Sequence, residues 1–247
     1  MTPERQLPLE SYVGFTLFKN GFPVAYGGSW VMGERAAFGM NIFEPFRGGE
    51  SGFMMCQLLR VYHQTFGIQK FEVEPYQFGL DNPDGIRSGA YWFYYRYGFR
   101  SEDKELFLLA EKEFNKIKTK KGYRSSATTL LKFTNSNLAL TIEKTRQLKL
   151  IDVTSKITSM IRKEFKGDRS LAIDTSTRLL KNNLGIEVHF KEHERDAFID
   201  YALLSNAFQI KDKKQLEIIS TLIQLKSTDP YEYNKVLKVL LDGLKSI

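Results

Sequence analysis

The chain has 247 residues, of which 42% are apolar and 26% charged, an ordinary composition for a globular protein of one large domain or two smaller ones. A single cysteine, Cys56, excludes an intramolecular disulfide. The N-terminus has neither the basic start nor the apolar core of a secretory signal, and no apolar run approaches the roughly 20 residues that span a bilayer. We therefore expect a cytoplasmic protein.

Charge and glycine divide the chain into two parts. Residues 1–100 contain 9 Lys and Arg, 9 Asp and Glu, and 14 of the 18 glycines. Residues 101–247 contain 27 Lys and Arg against 20 Asp and Glu, so they carry the whole net charge of +7. Lysines surround Gly122, as in a basic linker. We predict one domain at 1–110 and a basic, mostly helical region at 125–247.

The start of the chain predicts an antiparallel meander. Strands at 12–19 and 22–32 flank Asn20-Gly21, the strongest short hairpin signal, and a third strand follows at 36–43. Three strands are therefore expected before the first helix.

A mixed pattern follows the meander. Apolar residues recur at helical spacing from Phe53 to Phe66, and Gly67 is suited to end that helix. A strand at 68–73, a turn-rich loop and a helix at 86–97 come next. The order β-β-β-α-β-α indicates an α/β (α+β) domain.

Beyond residue 101 the pattern is mostly helical. Helical periodicity predicts helices at 102–118, 126–132, 154–165, 170–182, 194–208, 214–226 and 231–244. Alternation of apolar and polar residues predicts one short strand at 185–190.

The loop between the third strand and the first helix has the composition of a phosphate site. Residues 43–52 read FEPFRGGESG, with three glycines and an arginine. A strand that enters a helix through such a loop presents backbone N–H groups and a helix N-terminus to one point, and Arg47 adds a fork of donors. The loop predicts a site for a pyrophosphate or another multiply charged anion, with an ordinary glycine-rich turn as the alternative.

This loop, the element order and the segment AYWFYYRYGF at 90–99 together resemble the GNAT superfamily of acyl-CoA N-acyltransferases. In that family an R/Q-x-x-G-x-G/A loop wraps the pyrophosphate of coenzyme A. Arg47 and Gly52 match its first and last positions, and Glu50 stands where a glycine is usual. The resemblance covers residues 12–100 and implies acetyl-CoA or another acyl-CoA as acyl donor, with the backbone at Phe43 pairing with its pantetheine arm. The implied cofactor-binding residues are Phe43, Arg47, Gly48, Gly49, Glu50, Ser51 and Gly52.

The segment at 90–99 carries the family's A-x-x-x-Y-x-x-x-G-F pattern. The resemblance implies that its helical tyrosine, Tyr94, protonates the leaving thiolate as a general acid. For the attacking amine, whose identity the sequence does not reveal, the candidate base is Glu72, with Glu74 as the alternative. A solvated strand face explains both carboxylates equally well.

The resemblance also implies a GNAT-like fold, with a mixed, mainly antiparallel sheet and flanking helices. Family members usually begin with a strand and two helices, whereas eleven residues precede Tyr12. We expect the domain to lack those first elements.

Other classes of function stay open. A non-catalytic scaffold would keep the fold, lose the cofactor and bind a protein partner through the C-terminal helices. The basic charge alone suggests nucleic acid, but 20 acidic residues favour mixed, solvated helix faces, so neither nucleic acid nor a membrane is expected as a partner. His189 to His193 spells H-x-x-E-H, a zinc motif only where both histidines share one helical face. The strand predicted at 185–190 disfavours that arrangement, and no metal site is expected.

Overall fold

The computed structural model describes residues 9–143, 148–185 and 191–244, which form two compact units. The sheet unit comprises residues 13–30 and 35–143. The helical unit comprises residues 9–12, 31–34, 148–185 and 191–244. The division falls later in the chain than the boundary predicted between residues 110 and 125, because a strand at Leu138–Thr141 pairs within the sheet.

The sheet is mixed and mainly antiparallel, as expected, and it has six strands. Its strands are β1 (Ser11–Lys19), β2 (Phe22–Met32), β3 (Arg35–Ile42), β4 (Lys70–Val73), β5 (Arg100–Ser101) and β6 (Leu138–Thr141). Their spatial order is β1-β2-β3-β4-β6-β5. The predicted meander and fourth strand are confirmed, whereas β5 and β6 were not predicted.

The helices of the sheet unit are α1 (Ser51–Phe66), α2 (Pro83–Ser88), α3 (Ala90–Arg96), α4 (Lys104–Thr119) and α5 (Ala127–Phe133). The single helix predicted at 86–97 is wrong. Gly89 has φ +66°, a left-handed conformation that ends α2 and redirects the chain into α3.

The helices of the helical unit are α6 (Leu150–Glu164), α7 (Arg169–Leu184), α8 (Arg195–Ala207), α9 (Lys213–Leu225) and α10 (Pro230–Leu244). All seven helices predicted beyond residue 101 are therefore confirmed, and so is the helical C-terminal region. The strand predicted at 185–190 lies, except for its first residue, outside the described residues. Among the helices that the structure describes, none is long and apolar enough to cross a bilayer.

Local signals explain the elements that lead to the site. Asn20 and Gly21 both have positive φ, as a two-residue hairpin turn between β1 and β2 requires. Gly67 ends α1 in a left-handed conformation and donates its N–H to the carbonyl of His63 at 2.9 Å. α1 is thereby the crossover that returns the chain to the sheet as β4.

The parallel pairing between β3 and β4 is short. Arg35, Ala36 and Ala37 of β3 lie opposite Lys70, Phe71 and Glu72 of β4. β3 continues to Ile42, and no residue of β4 pairs with this later part. The two strands therefore part in the middle of the sheet.

The helical unit packs around an apolar core that includes Leu9 and Met32. The buried Tyr233 hydroxyl donates to the carbonyl of Leu9 at 2.7 Å and lies 2.7 Å from the Tyr201 hydroxyl. The buried Asn234 amide accepts from the Gly33 N–H at 2.8 Å and donates to the Gly33 carbonyl at 3.0 Å. These side chains satisfy backbone groups that would otherwise be buried without partners.

Two titratable groups of the helical unit are largely buried. Burial raises the pKa of Asp200 from its ordinary 3.8 to about 7, although Lys226 and Arg169 partly oppose the increase and Asp196 adds to it. Burial also lowers the pKa of Lys226 to about 8, against the opposing effect of Asp200 and Glu10. The ionised carboxylate of Asp200 is therefore a cost to the folded unit at neutral pH.

Asp200→Asn is expected to raise the free energy of unfolding of the helical unit at pH 8 and to change that free energy little near pH 4. The folded-state pKa lies above the unfolded one, so the folded state binds more protons between about pH 4 and 7, and the stability due to Asp200 falls as pH rises through that range. A shift of about 3 units sets an upper bound of roughly 4 kcal/mol.

Calorimetric melting at several pH values tests this prediction, with Glu217→Gln, an exposed change on α9 of the same unit, as the control. A gain in melting temperature that is the same at pH 4.5 and pH 8 would contradict it.

Candidate functional site

A cleft of about 490 Å³ lies in the sheet unit where β3 and β4 part. Its walls are the end of β3, the loop that leads into α1, the segment 76–88, and α3. Of the residues predicted from sequence, Arg47, Gly48, Ser51 and Tyr94 line the cleft. The remaining predicted residues, Phe43, Gly49, Glu50, Gly52 and Glu72, do not line it.

The start of α1 is rich in donors without partners. The N–H groups of Gly49, Glu50, Gly52 and Phe53 donate to no other described residue. Ser51 closes the turn, because its N–H donates to the Gly48 carbonyl at 3.0 Å and its hydroxyl accepts from the Gly48 N–H at 3.1 Å. A helix N-terminus with this many unpaired N–H groups carries partial positive charge.

Arg47 adds a full positive charge to this end of the cleft. Its Nε donates to the carbonyl of Ile42 at 3.0 Å, which ties the side chain to the end of β3. Its four other guanidinium N–H donors have no partner in the part of the chain that the structure describes. The guanidinium is therefore anchored and still able to bind an anion.

Glu50, the residue that stands in place of a glycine, is paired away from the cleft. Its carboxylate lies 2.5 Å from the ammonium of Lys19, at the end of β1. Both side chains are mostly exposed. The Lys19 charge offsets this carboxylate, so Glu50 and Lys19 together add no net charge beside Arg47.

The main-chain groups of Phe43 are both engaged. Its N–H donates to the Val24 carbonyl of β2 at 3.1 Å, and its carbonyl accepts from the Phe46 N–H at 2.9 Å. Main-chain groups alternate between the two sides of a strand, so Met40, three residues earlier, faces the opposite side, where β4 no longer pairs. The free backbone edge at the cleft is therefore that of Met40 rather than Phe43.

Tyr94 brings a buried phenol to the other wall of the cleft. The residue is 4% exposed, and its ring packs against Phe93 and Phe99 with centroids 5.4 and 5.5 Å away. Burial raises the pKa of the Tyr94 phenol well above its ordinary value. No described residue hydrogen-bonds to its hydroxyl, so the group stays protonated and available as a donor.

The carboxylate of Glu72 is paired with basic side chains outside the cleft. Its carboxylate pairs with Arg35 and lies 3.1 Å from the Lys70 ammonium, and Lys70 also pairs with Glu102. Glu74 is exposed at the start of the turn Pro75–Phe78. Neither carboxylate lines the cleft. The acidic residue among the described lining residues is Asp84, whose carboxylate pairs with Arg87.

Gln77 and Asp84, two lining residues with polar side chains, were not predicted as site residues. Asn82 positions their segment, because its side chain donates to the Tyr76 carbonyl at 2.9 Å and accepts from the Gly85 N–H at 3.3 Å. The Asn82-Pro83 pair carries the sequence signal of a helix start, with Asn as N-cap and Pro in the first turn. That signal locates Asp84 on a helix, but it does not show which way the helix faces.

The H-x-x-E-H motif at 189–193 lies only partly within the described residues. His189 lies outside the described residues, and His193 is in a short 3-10 turn at Glu192–Glu194. Within the described ranges, no group of three or more His, Cys, Asp or Glu is placed to hold a metal ion.

Gly52→Ala is expected to destabilise the sheet unit by about 1 kcal/mol, because a Cβ at residue 52 would overlap the hydroxyl of Tyr97 and displace that partly exposed side chain. Gly49→Ala, three residues earlier in the same loop, is the matched control, since a Cβ there meets nothing within 4 Å. Urea unfolding of both variants measures the difference. Equal stability of the two variants would show that Gly52 is not required for packing, and Tyr97→Ala should relieve the clash in the double variant.

Comparisons of the chain with protein-family models, with curated proteins and with solved structures give no match. Assignment of a function therefore depends on the geometry of the cleft and on the residues that line it.

Proposed function

We propose that the chain is an acyl-CoA-dependent N-acyltransferase, which moves an acyl group from a thioester to an amine by direct attack. One observation carries the proposal: Arg47 and the first residue of α1, Ser51, line the same cleft as the buried phenol of Tyr94. The order of elements along the chain, the Arg47 loop and the Tyr94 segment are the features that resemble the GNAT superfamily.

The donor-rich end of the cleft fits the pyrophosphate of coenzyme A. Arg47 supplies a fixed cation on the wall of the cleft. The unpaired N–H groups belong to Gly49, Glu50, Gly52 and Phe53, which adjoin the lining residues Gly48 and Ser51. The glycines at 48 and 49 leave open space where side chains would stand. Because Lys19 offsets Glu50, the one acidic departure from the family pattern does not oppose this assignment.

The free backbone edge of β3 fits the pantetheine arm. That arm contains amide groups, which need hydrogen-bond partners once they leave water. Met40 lies on the cleft and faces the side where β4 no longer pairs. An extended chain held there would complete the interrupted sheet and lead from Arg47 towards Tyr94.

The chemistry requires a proton donor and a proton acceptor. The amine nitrogen forms a bond to the thioester carbonyl carbon, the carbon–sulfur bond breaks, and the departing thiolate takes the phenolic proton of Tyr94. Asp84 is the carboxylate of the cleft that accepts the proton released by the amine. Transfer of that proton back to the tyrosine through solvent restores both groups.

Two substitutions separate binding from chemistry. Arg47→Ala should weaken coenzyme A binding about tenfold or more, because it removes a charged, bidentate donor. Tyr94→Phe should leave that affinity nearly unchanged and slow thiol release by about 10²–10⁴, because only proton donation is lost. Isothermal titration with coenzyme A and acetyl-CoA measures the first effect, and free-thiol release with a panel of amines measures the second.

Arg60→Ala, an exposed change on α1, and Tyr26→Phe, an exposed change on β2, are the controls. Absence of coenzyme A binding by the native chain would refute the acyltransferase and favour the alternative, a non-catalytic protein that binds a protein partner. Binding that survives Arg47→Ala would remove the loop from the cofactor site.

A further inference from the structure

We propose that Gln77 is a further catalytic residue, whose side-chain amide donates a hydrogen bond to the thioester carbonyl oxygen as the amine attacks. The inference rests on the proposed function, since it names the group that stabilises the oxygen in the same cleft. Three observations support it: a fixed position, a glycine that makes room for the side chain, and an amide without a partner.

The backbone of Gln77 is rigidly held. The residue lies in the turn Pro75–Phe78, directly after β4, and its N–H donates to the Glu74 carbonyl at 3.0 Å. The next residue, Phe78, is fully buried and packs edge-on against Tyr91 with centroids 5.8 Å apart. The backbone that carries the Gln77 amide is therefore fixed before any ligand arrives, which favours electrostatic stabilisation by that amide.

Gly39 makes room for the Gln77 amide. The amide nitrogen lies 3.1 Å from the point that a Cβ at residue 39 would occupy. Gly39 is in β3, two residues beyond Ala37, the last residue paired with β4. The amide therefore lies over the strand at the place where the sheet opens, beside Met40, whose backbone faces the same gap.

The Gln77 amide also has no hydrogen-bond partner among the described residues. Asn82 and Ser88, which share the wall, use their side chains in hydrogen bonds to the local backbone. No described residue hydrogen-bonds to the Gln77 side chain, and it lines the cleft with Tyr94. A neutral amide offers two N–H donors, which suit a carbonyl oxygen that gains negative charge in the transition state.

The test compares acetyl-CoA with S-ethyl-CoA, a thioether that lacks only the carbonyl oxygen. By isothermal titration the native chain should bind acetyl-CoA several-fold more tightly than S-ethyl-CoA, and Gln77→Leu should abolish that preference while S-ethyl-CoA affinity stays unchanged. Gly39→Ala, whose Cβ would lie 3.1 Å from the amide nitrogen and shift it slightly without altering its chemistry, should reduce the preference. Gln57→Leu, exposed on α1, is the control.

The outcomes separate the two proposals. A native chain that binds neither ligand would overturn the acyltransferase and this inference together. A native chain that binds both ligands equally, or a Gln77→Leu variant that keeps the full preference, would overturn the role of Gln77 alone. Thiol release slowed about 10²-fold by Gln77→Leu and by Gln77→Glu, with the acetyl preference lost, would support it.

Discussion

The early end of the pairing between β3 and β4 is the constraint on which the site depends. A parallel pair that stops after Ala37 leaves the later residues of β3 without a partner in β4, and backbone groups inside a sheet are costly unless another residue, water or a ligand satisfies them. The elements around the opening prevent its closure: α1 brings its N-terminus to one wall, and the turn after β4 brings Gln77 over Gly39. Backbone geometry thus creates a groove that an extended, amide-containing ligand would complete.

Charge and burial are distributed along this groove in a consistent way. At one end, unpaired N–H groups and Arg47 favour an anion, and Lys19 offsets the neighbouring carboxylate of Glu50. At the other wall, the aromatic packing around Tyr94 raises the pKa of its phenol, which keeps the proton that a leaving thiolate needs. Arg47 is exposed to solvent, whereas Tyr94 is only 4% exposed. An extended ligand that lies along the groove would contact both environments.

Local signals made much of the fold predictable from sequence. Asn20-Gly21 and Gly67 act within a few residues, so the meander and α1 could be located. β6 was missed because Leu138–Thr141 shows no alternation of apolar and polar residues, and its strand character comes from pairing with β4. The same distinction applies to the site. Arg47, Ser51 and Tyr94 belong to local motifs, whereas Gln77 reaches the cleft only through its tertiary contact with Gly39. Glu72 lies in a strand with alternating polar and apolar residues, but no local sequence signal reveals that its carboxylate forms ion pairs with Arg35 and Lys70.

The most direct test of this account is amide hydrogen exchange of the full chain with and without saturating acetyl-CoA. Exchange reports protection of individual backbone N–H groups, and these are the groups that the proposed ligand would bind. The account predicts new protection at Gly49, Glu50, Gly52 and Phe53, around the start of α1, and at Met40 on the free edge of β3, with the helical core of α6–α10 unchanged. Protection absent from both segments, or confined to the helical unit, would contradict the assignment of the cleft as an acyl-CoA site.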